Sequence, residues 1–500
     1  MLTFKFMGSL IGSSWMPAKL TIMFNLLWLQ NWSNLLWALA TLQENGADLG
    51  NSSSVGAIVA AGAAAVEQLC SLAKPQELSN TLWALATLGW HRDDSTLTKL
   101  VTAMVQRIST ATPQALSNTL WALATLGWHR DDSTLTKLVT AMEQRISTAT
   151  PQALSNTLWA LATLGWHRDD STLTKLVTAM EQRVSTATPQ ALANTLWALG
   201  QFDWYNAGAV EALAAAIAQS SSSAKSQNMS NALQALGSLR WYDAAVYSLL
   251  VSRLHLMISS DNQPGQHFSN AMFSCALSGH FNSSVDTLAA WGSQQDLQQW
   301  TEQEISNTLF AWAMLTATGR NTASMRSLAE QVFKEASSRG AAKFTVGNDL
   351  GKLASAHWEA QHVGLPGDGL SDSKLLQAAE ERQAERMKSI SKDSSSITRK
   401  VAAALQGHYE VQAAMVHGYH ALQVPHPSCP RGFVLAVTQR DRDYLRHPAG
   451  QVYGKAALRM AQVKRCCDGL MLCDESELLG SIEQQRGVLL KRLEEARPGV

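Results

Sequence analysis

Residues 78–115 read LSNTLWALATLGWHRDDSTLTKLVTAMVQRISTATPQA, and the next two segments, 116–153 and 154–191, repeat this sequence almost without change. The copies differ at two positions only, occupied in order by Val105, Glu143 and Glu181 and by Ile108, Ile146 and Val184. Self-similarity at a fixed period is typical of proteins in which stacked units bury a continuous core together. The repeat therefore predicts a mainly α protein, an α-solenoid.

One asparagine recurs in every unit and marks how far the repeat extends. Around it the chain reads close to SN-x-L-W-A-L-A-x-L, a pattern that decays along the chain. The asparagines are Asn34, Asn80, Asn118, Asn156, Asn194, Asn231, Asn270 and Asn307. We therefore expect about eight 38-residue helix-turn-helix repeats within residues 27–363, with a degenerate ninth at Asn348.

Each unit contains the start and stop signals of two helices. Thr112 can cap the first helix, and Pro113 suits its first position because a missing N–H does no harm there. Gly127 suits a left-handed residue after the helix end. Acidic residues favour a helix N-terminus, so the second helix is predicted to begin at Asp131-Asp132. Its predicted apolar stripe is Leu135, Leu138, Val139, Met142 and Ile146.

The character of the sequence differs on either side of the repeats. Residues 1–26 form an N-terminal segment, 364–396 a linker, and 397–493 a separate domain. Within the linker, the charged stretch Lys374–Ser391 predicts a solvated helix.

Four segments of the last domain have a recognisable periodicity. The apolar runs Phe433–Val437 and Gly469–Cys473 predict strands, while Gly454–Lys464 and Glu475–Leu493 predict helices. Strand, helix, strand and helix in this order indicate a small α/β domain.

Composition narrows the function classes. Forty basic and forty acidic residues cancel, which argues against a strongly basic protein held on nucleic acid mainly by phosphate contacts. RNA remains compatible, because single strands are recognised largely through base edges and stacking. The chain has 17 tryptophans, mostly at fixed repeat positions that suit core packing. Stacking on bases is the alternative for Trp83, Trp121, Trp159 and Trp197.

Neither the cysteines nor the N-terminus gives a specific signal. The six cysteines contain no CxxC pair, and Cys466, Cys467 and Cys473 fit no standard zinc spacing. Reduced thiols and a reducing compartment follow, and we expect no metal and no cofactor. No run of 18 apolar residues indicates a membrane span. The first 43 residues lack Asp and Glu, as transit peptides do, but they also lack Arg.

The LWALATLG core at this period resembles the octotricopeptide repeat family of green algae, and the C-terminal region resembles the RAP domain that often follows such repeats. The RAP resemblance rests, in order, on Val401–Leu405, Tyr409–Gln412, Gly418-Tyr419, Leu435–Val437, Gly454–Arg459 and Leu489–Leu493.

The resemblance implies a function in RNA metabolism. Octotricopeptide and RAP proteins, like the similar FAST-kinase-like mitochondrial proteins, act in RNA stability, processing, splicing or translation. It therefore implies a chloroplast or mitochondrial location and single-stranded organellar RNA as the partner. Other RNA-processing proteins are further expected partners, whereas no membrane and no DNA are expected.

The chain departs from the RAP pattern where activity would be at stake. RAP domains are similar to restriction-endonuclease-like nucleases of the PD-(D/E)XK class, which hold a metal with acidic residues. The family's AVEVDGPSHF is AVTQRDRDYL here, so Thr438 replaces the Glu and Arg440 the Asp, while Asp441 and Asp443 are displaced. A shift of one residue turns a strand side chain to the opposite face. We therefore expect no enzyme activity.

Base discrimination needs amide or hydroxyl groups at repeated positions of one helix. A residue seven positions after the asparagine and a Gln four positions before it meet this need. The asparagine itself either bonds the RNA backbone or, as we favour, bonds the next repeat's main chain and holds the stack together. The candidate RNA-binding residues are Gln76, Thr87, Gln114, Thr125, Gln152, Thr163, Gln190, Gln201, Ser238, Asn80, Asn118, Asn156 and Asn194.

A cluster of basic residues in the C-terminal region suits phosphate contacts or, equally, ordinary solvated charges. It comprises Arg440, Arg442, Arg446, Arg459, Lys464 and Arg465.

The alternative functions differ in the ligand that the solenoid would bind. A sequence-selective RNA-binding factor is favoured, and at about one base per repeat its eight units would cover about eight nucleotides. Because the near-identical copies would read one base repeatedly, distinctive recognition would come from the diverged units between Asn194 and Asn307. A helical-repeat scaffold for protein partners is the alternative, and a metal-dependent RNA nuclease is a weaker one.

Overall fold

Stacked helix pairs followed by a small sheet make up the chain in a computed structural model. It describes residues 18–44, 46–47, 52–90, 94–128, 132–166, 170–367, 369–393, 404–405, 412–416, 419–426, 429–438, 443–448, 451–466, 469–474, 477 and 481–495. The chain divides into two compact units, residues 1–216 (unit 1) and 217–500 (unit 2).

The first helix of each repeat is its A helix and the second its B helix. In unit 1 the helices are α1 Ala18–Glu44, α2 Ser52–Leu69, α3 Pro75–Thr87, α4 Asp94–Gln106, α5 Pro113–Thr125, α6 Asp132–Glu143, α7 Pro151–Thr163, α8 Asp170–Glu181 and α9 Pro189–Phe202, and α10 Ala207–Gln219 crosses its boundary. Unit 2 continues with α11 Ser226–Ser238, α12 Ala244–Ile258, α13 Pro264–Ser278, α14 Ser283–Gly292, α15 Glu302–Ala317, α16 Ala323–Arg339, α17 Gly347–Val363 and α18 Ser373–Asp393.

The predicted helix signals act as expected in the A helices. The Thr112 hydroxyl accepts a hydrogen bond from the backbone N–H of Ala115, and α5 begins at Pro113. After the helix, Gly127 has a φ of +66°, and the N–H of the next residue donates to the carbonyl oxygen of Leu123 at 2.9 Å. This bond closes the helix end, because a left-handed residue lets the chain fold back onto the last turn.

The B helices are shorter than predicted. The apolar residues from Leu135 to Met142 are buried along α6, but the prediction that Ile146 continues their stripe is wrong. The helix ends at Glu143, and a separate 3₁₀ turn spans Ile146–Thr148. The chain must become extended before the proline of Thr150-Pro151, and the tighter 3₁₀ turn completes that change of direction.

Stacking in unit 1 uses the same contacts from repeat to repeat. The A helices α1, α3, α5, α7 and α9 pack side by side in one layer, and the B helices α2, α4, α6 and α8 in a second. An arginine after each B helix reaches the preceding repeat: Arg145 donates to the carbonyl oxygen of Ser109 at 2.8 Å, and Arg183 to that of Ser147 at 3.0 Å. Arg107 makes the corresponding bond one repeat earlier. The prediction of a mainly helical, stacked architecture is confirmed.

Unit 2 has the same two-layer arrangement. The A helices α11, α13, α15 and α17 form one layer, and α12, α14 and α16 form the other. Helix α18 lies in the segment that we predicted as a linker, yet it packs on α17 and buries Leu375 and Ala379 completely. One side of this charged helix therefore faces the protein, because residues four apart lie on the same helix face.

The C-terminal region contains a four-stranded sheet and two helices. Its elements are β1 Gln412–Val416, β2 Tyr419–His426, β3 Cys429–Thr438, α19 Gly454–Cys466, β4 Gly469–Asp474 and α20 Ile482–Glu495. The strand order is β1-β2-β3-β4, antiparallel except for the parallel pair β3–β4. The predicted succession of strand, helix, strand and helix corresponds to β3, α19, β4 and α20, whereas β1 and β2 were missed.

Several predictions concern residues beyond this description. Residues 1–17 lie outside it, as do most of Val401–Leu405 and of Tyr409–Gln412. None of the described helices combines the length and the apolar character needed to cross a membrane.

Candidate nucleic-acid interface

One face of each A helix in unit 1 stays accessible along its whole length. In α5, Gln114, Asn118, Trp121 and Thr125 are exposed or half-buried, while the leucines of the neighbouring turns are buried. Spacings of four, three and four residues place these side chains in one row along the helix. We call this row, at the same positions in every repeat, the A-helix stripe.

The same four positions are accessible in every A helix of unit 1. The other stripes are Gln30, Asn34, Trp37 and Thr41 in α1, Gln76, Asn80, Trp83 and Thr87 in α3, Gln152, Asn156, Trp159 and Thr163 in α7, and Gln190, Asn194, Trp197 and Gln201 in α9. The structure thus brings the candidate residues of unit 1 onto the accessible side of one helix layer. Gln30 was missed, although its position four residues before Asn34 would have identified it.

The tryptophans of the stripe form a continuous ladder. Successive ring centroids lie 6.5, 6.2, 5.9 and 6.0 Å apart from Trp37 through Trp83, Trp121 and Trp159 to Trp197. Aromatic pairs at such distances attract each other beyond their buried area. Packing between repeats is therefore confirmed as one duty of these residues, and each ring also keeps an accessible part.

The stripe asparagines do not hold unit 1 together. Asn80 accepts a hydrogen bond from Gln76 of its own helix, with 2.9 Å between Nε2 and Oδ1. Within the described part of the chain, Asn118, Asn156 and Asn194 have no hydrogen-bond partner for their side chains. In unit 1 the favoured interpretation, a bond to the next repeat's main chain, is wrong, because the arginines make those ties instead. These three amides are available to an external partner.

In unit 2, Asn270 donates to Gln234 of α11 at 3.3 Å, and Asn307 accepts from Lys352 of α17 at 2.7 Å, so these two do join neighbouring repeats.

The threonine hydroxyls have one defined use already. Thr125 and Thr163 each donate to the carbonyl oxygen of the stripe tryptophan four residues earlier, at 2.9 Å. A hydroxyl has one donor hydrogen and two acceptor lone pairs. These oxygens therefore remain acceptors for a ligand, whereas Gln and Asn offer both donors and acceptors.

The A-helix stripe of unit 1 is electrically neutral. Helices α5, α7 and α9 contain no charged residue. Glu77 of α3 is buried, and its carboxylate accepts a hydrogen bond from the backbone N–H of Lys74 at 2.8 Å. A strand bound here would meet amides, hydroxyls and indole rings, which recognise bases, and no charge that neutralises phosphates.

The stripe of α11, the first A helix of unit 2, is also accessible. Gln227 and Ser238 are exposed, and Asn231 and Gln234 are half-buried. An amide takes the place of the tryptophan here, so the position that packs in unit 1 is polar in this repeat.

Two of the four stripe positions in α13 and in α15 are buried, whereas Gln266 and Gln303 remain exposed. The ladder position holds Phe273 and Phe310, whose ring centroids lie 6.1 Å apart. The asparagine and the residue seven positions after it are almost inaccessible: 8% exposed for Asn270, 2% for Leu277, 7% for Asn307 and 1% for Met314. Two of the positions at which these diverged units were expected to recognise bases are therefore inaccessible in both repeats.

Three residues of the predicted basic cluster bond within the protein. Arg459 donates to the buried carboxylate of Asp443 at 3.0 Å. Arg465 donates twice to the buried carboxylate of Glu359, at 2.5 and 2.9 Å. The backbone N–H of Arg446 donates to a carbonyl oxygen of the repeats.

The three other residues of the cluster are either exposed or outside the described part of the chain. Lys464 is exposed. Arg440 and Arg442 lie outside the described residues. The structure thus leaves Lys464 as the described member whose charge faces solvent.

Acidic and sulfur side chains do not assemble a metal site in the described part of the chain. No group of three or more His, Cys, Asp or Glu side chains there could hold an ion. Asp443 is fully buried and paired with Arg459, while Asp441 lies outside the description. Cys473 is buried, and its thiol donates to the carbonyl oxygen of Asp474 at 3.7 Å, while Cys467 lies outside the described residues.

One known family is similar to the repeat region. A family described as RNA-editing substrate-binding complex 8 protein matches residues 59–288, a stretch that includes the stripes of α3 to α13. No curated protein matches the chain. Over somewhat less than half its length, the chain is therefore similar to proteins of an RNA-editing complex.

Proposed function

We propose that this chain is a sequence-selective, single-stranded RNA-binding factor of organellar post-transcriptional RNA metabolism, which contacts RNA with the A-helix stripe of unit 1. The observation that carries the proposal is the neutral row of amides, hydroxyls and indole rings at one position of five successive A helices. Such groups recognise base edges in single strands. The similarity to proteins of an RNA-editing complex supports RNA, together with protein partners, as the ligand class.

Each kind of side chain has its own part in this proposal. The Gln and Asn amides pair with donors and acceptors on base edges, and the exposed Thr125 and Thr163 oxygens accept from base amino groups. The accessible parts of the tryptophan rings contact base faces, an interaction that contributes roughly 1–3 kcal/mol per base. Identical stripes in α3, α5 and α7 favour the same base three times in succession.

A selection of random single-stranded RNA on the purified chain tests the proposal. We expect enrichment of a short motif that contains a run of one base, and weaker binding when Thr87, Thr125 and Thr163 are all changed to alanine. The matched control changes Thr102, Thr140 and Thr178, which are exposed at the corresponding positions of the B helices. Equal effects of the two triple variants would contradict the assignment of the stripe.

A protein-binding scaffold is the second candidate, favoured by one observation. The stripe has no basic side chain in α5, α7 and α9, and amides can bond the main chain of an extended peptide as readily as a base. Failure of the selection to enrich any RNA motif would favour this function.

The C-terminal region takes a non-catalytic, RAP-like role in this proposal. Its support is the fully buried Asp443 carboxylate, which Arg459 already neutralises. Labelled RNA incubated with the chain and Mg²⁺ should stay intact, and cleavage that Asp443→Asn abolishes would contradict this part.

A fluorescent fusion of the chain should accumulate in a chloroplast or mitochondrion.

A further inference from the structure

The first repeat of unit 1 has an apolar surface at the end of the stack. In α1 the side chains of Leu27, Leu35 and Leu42 are 51%, 42% and 50% exposed, and Ala38 is exposed as well. Their spacings of eight, three and four residues place all four on one face of the helix. We call these residues, together with the 40% exposed Ile58 of α2, the outer edge. Exposed groups of apolar residues mark sites of protein interaction.

The same positions are buried in every later repeat of unit 1. The position of Leu35, directly after the repeat asparagine, is fully buried at Thr81, Thr119, Thr157 and Thr195. The position of Ala38 is fully buried at Ala84, Ala122, Ala160 and Ala198. The A helices of these repeats pack side by side, so their buried positions belong to the stack. The outer edge therefore continues the interface that joins the repeats.

The residue at the centre of the outer edge differs from its equivalents. In the seven following repeats the position holds a small residue: Thr81, Thr119, Thr157, Thr195, Ala232, Ala271 and Thr308. Small side chains let neighbouring A helices approach closely, whereas Leu35 is larger than any of them. The outer edge is thus not shaped for a further repeat of the kind that follows it.

The B helix of the first repeat differs in the same sense. In α4, Thr96 and Lys99 both donate to the carboxylate of Glu67 in the preceding repeat, at 2.5 Å each. The residues of α2 that lie 38 positions before them are Ile58 and Ala61, which have no donor group. A glutamate brought against α2 would lose water without gaining a hydrogen bond, which is unfavourable. The outer edge therefore suits an apolar partner.

The leucines of α1 have a nearly symmetric spacing. Leu27 and Leu42 lie eight and seven residues on either side of Leu35. A two-fold axis through Leu35 would place Leu27 of one copy against Leu42 of the other, and Leu35 against its own equivalent. Residues 20–43 contain no charged side chain, so two such helices would not oppose like charges.

We propose that the outer edge is a dimer interface, in which α1 of one copy of this chain packs antiparallel against α1 of a second copy about a two-fold axis at Leu35. The interface removes the exposed leucines of both copies from water, which is the source of its stability. An isologous contact of this kind uses the same surface on both copies and stops at two. The proposal goes beyond the proposed function and does not depend on RNA.

Sedimentation equilibrium of the full chain, over a range of micromolar concentrations, tests the dimer. The wild-type chain should be a dimer, and Leu35→Lys should weaken it roughly a hundredfold or more, because the two new charges face each other across the axis. Leu256→Lys is the matched control, since Leu256 of α12 is 72% exposed and lies outside the outer edge. Circular dichroism checks that both variants keep their helix content.

Two double variants test the antiparallel orientation. Leu27→Lys with Leu42→Glu brings opposite charges together across an antiparallel interface, whereas Leu27→Lys with Leu42→Lys brings like charges together. The first should therefore dimerise at least roughly tenfold more tightly than the second. In a parallel packing each residue would meet its own equivalent, and both double variants would suffer repulsion.

Each outcome supports or overturns the proposal. A dimer that Leu35→Lys dissociates and Leu256→Lys does not, with the expected order of the two double variants, supports it. A wild-type chain that stays monomeric overturns it, whether residues 1–17 or another protein then covers the outer edge. Equal effects of the two lysine variants, equal affinities of the two double variants, or assemblies larger than a dimer also overturn it.

Discussion

The repeats of unit 1 and those of unit 2 share one architecture and differ in what touches their A helices. In unit 1 each A helix meets the next copy of itself, and three repeats are almost identical. In unit 2, α19 lies on α13 and α15, and no two stripes are alike. A repeated sequence can make only repeated contacts, whereas an asymmetric neighbour needs a different residue at each contact. Near-identical repeats therefore cannot provide, on the same surface, the different contacts that a single neighbouring helix needs.

The largest effect on stability is expected at the ion pair that joins α19 to the buried Glu359 of α17. Arg465→Met leaves the Glu359 carboxylate buried and unpaired, and should lower the free energy of unfolding of unit 2 by roughly 3 kcal/mol. Chemical denaturation followed by hydrogen exchange measures the loss. Lys464→Met is the control, because this neighbouring side chain is exposed and should cost less than about 0.5 kcal/mol. Equal losses would mean that the docking does not depend on the ion pair.

Removal of one tryptophan from the ladder tests the contacts that recur between successive repeats of unit 1. Trp121→Ala loses two ring partners, Trp83 and Trp159, and should destabilise unit 1 by about 2 kcal/mol. Trp37 has a ring contact with Trp83 in the ladder and is 47% exposed, so Trp37→Ala should cost about 1 kcal/mol. Thermal unfolding of the two variants compares them. A larger loss at Trp37 would contradict additive contacts between neighbours.

A pH effect of intermediate size is expected in unit 2. Burial, with a smaller contribution from the nearby Arg320 charge, lowers the pKa of His280 from 6.5 to about 4. Between these two values the unfolded chain binds a proton that the folded chain does not, so stability is lost as the pH falls from about 6.5 to about 4. The slope should reach at most about 1 kcal/mol per pH unit. His280→Gln should remove this part of the slope in denaturation curves; an unchanged slope would assign it to other groups.

The smallest effect concerns the one charge that distinguishes the three copies. Glu143 pairs with Lys175 of the next repeat. One repeat earlier, Lys137 is equivalent to Lys175, but Val105 stands where Glu143 would be. Val105→Glu should create the missing pair and stabilise unit 1 by about 0.3 kcal/mol, and Glu143→Val should cost a similar amount. Both effects on stability should vanish in high salt, because salt screens the attraction between exposed charges. Effects that persist in salt would point to packing.

Local chemistry made much of unit 1 predictable. Thr112 and Pro113 act through their own backbone neighbours, and Gly127 through its left-handed φ, so their effect is readable without knowledge of the fold. The stripe was predictable for a related reason: a fixed spacing on a helix determines a face. The strands β1 and β2 were missed because Gln, His and Pro interrupt their apolar alternation, and pairing stabilises them, β1 with β2 and β2 with β3.

The burial of the asparagine positions in α13 and α15 was beyond the sequence pattern. Asn270 and Asn307 stand in the same Ser-Asn context as Asn118, which remains accessible. Their amides bond side chains of neighbouring A helices, Asn270 to Gln234 and Asn307 to Lys352, while α19 packs on the same two helices from far along the chain. A contact of that sequence separation leaves no periodic signal in either partner. The role of the asparagines was misjudged in unit 1, where the inter-repeat ties use Arg145 and its equivalents.

The uniform junctions of unit 1 also bear on how its length can change over generations. Arg107, Arg145 and Arg183 reach the preceding repeat in the same way, and α5, α7 and α9 each begin at the same Thr-Pro junction. Loss or gain of one whole copy through misaligned recombination would recreate each of these junctions from existing parts. Copy number can therefore vary without any compensating substitution, and every such event would lengthen or shorten the accessible row by one step.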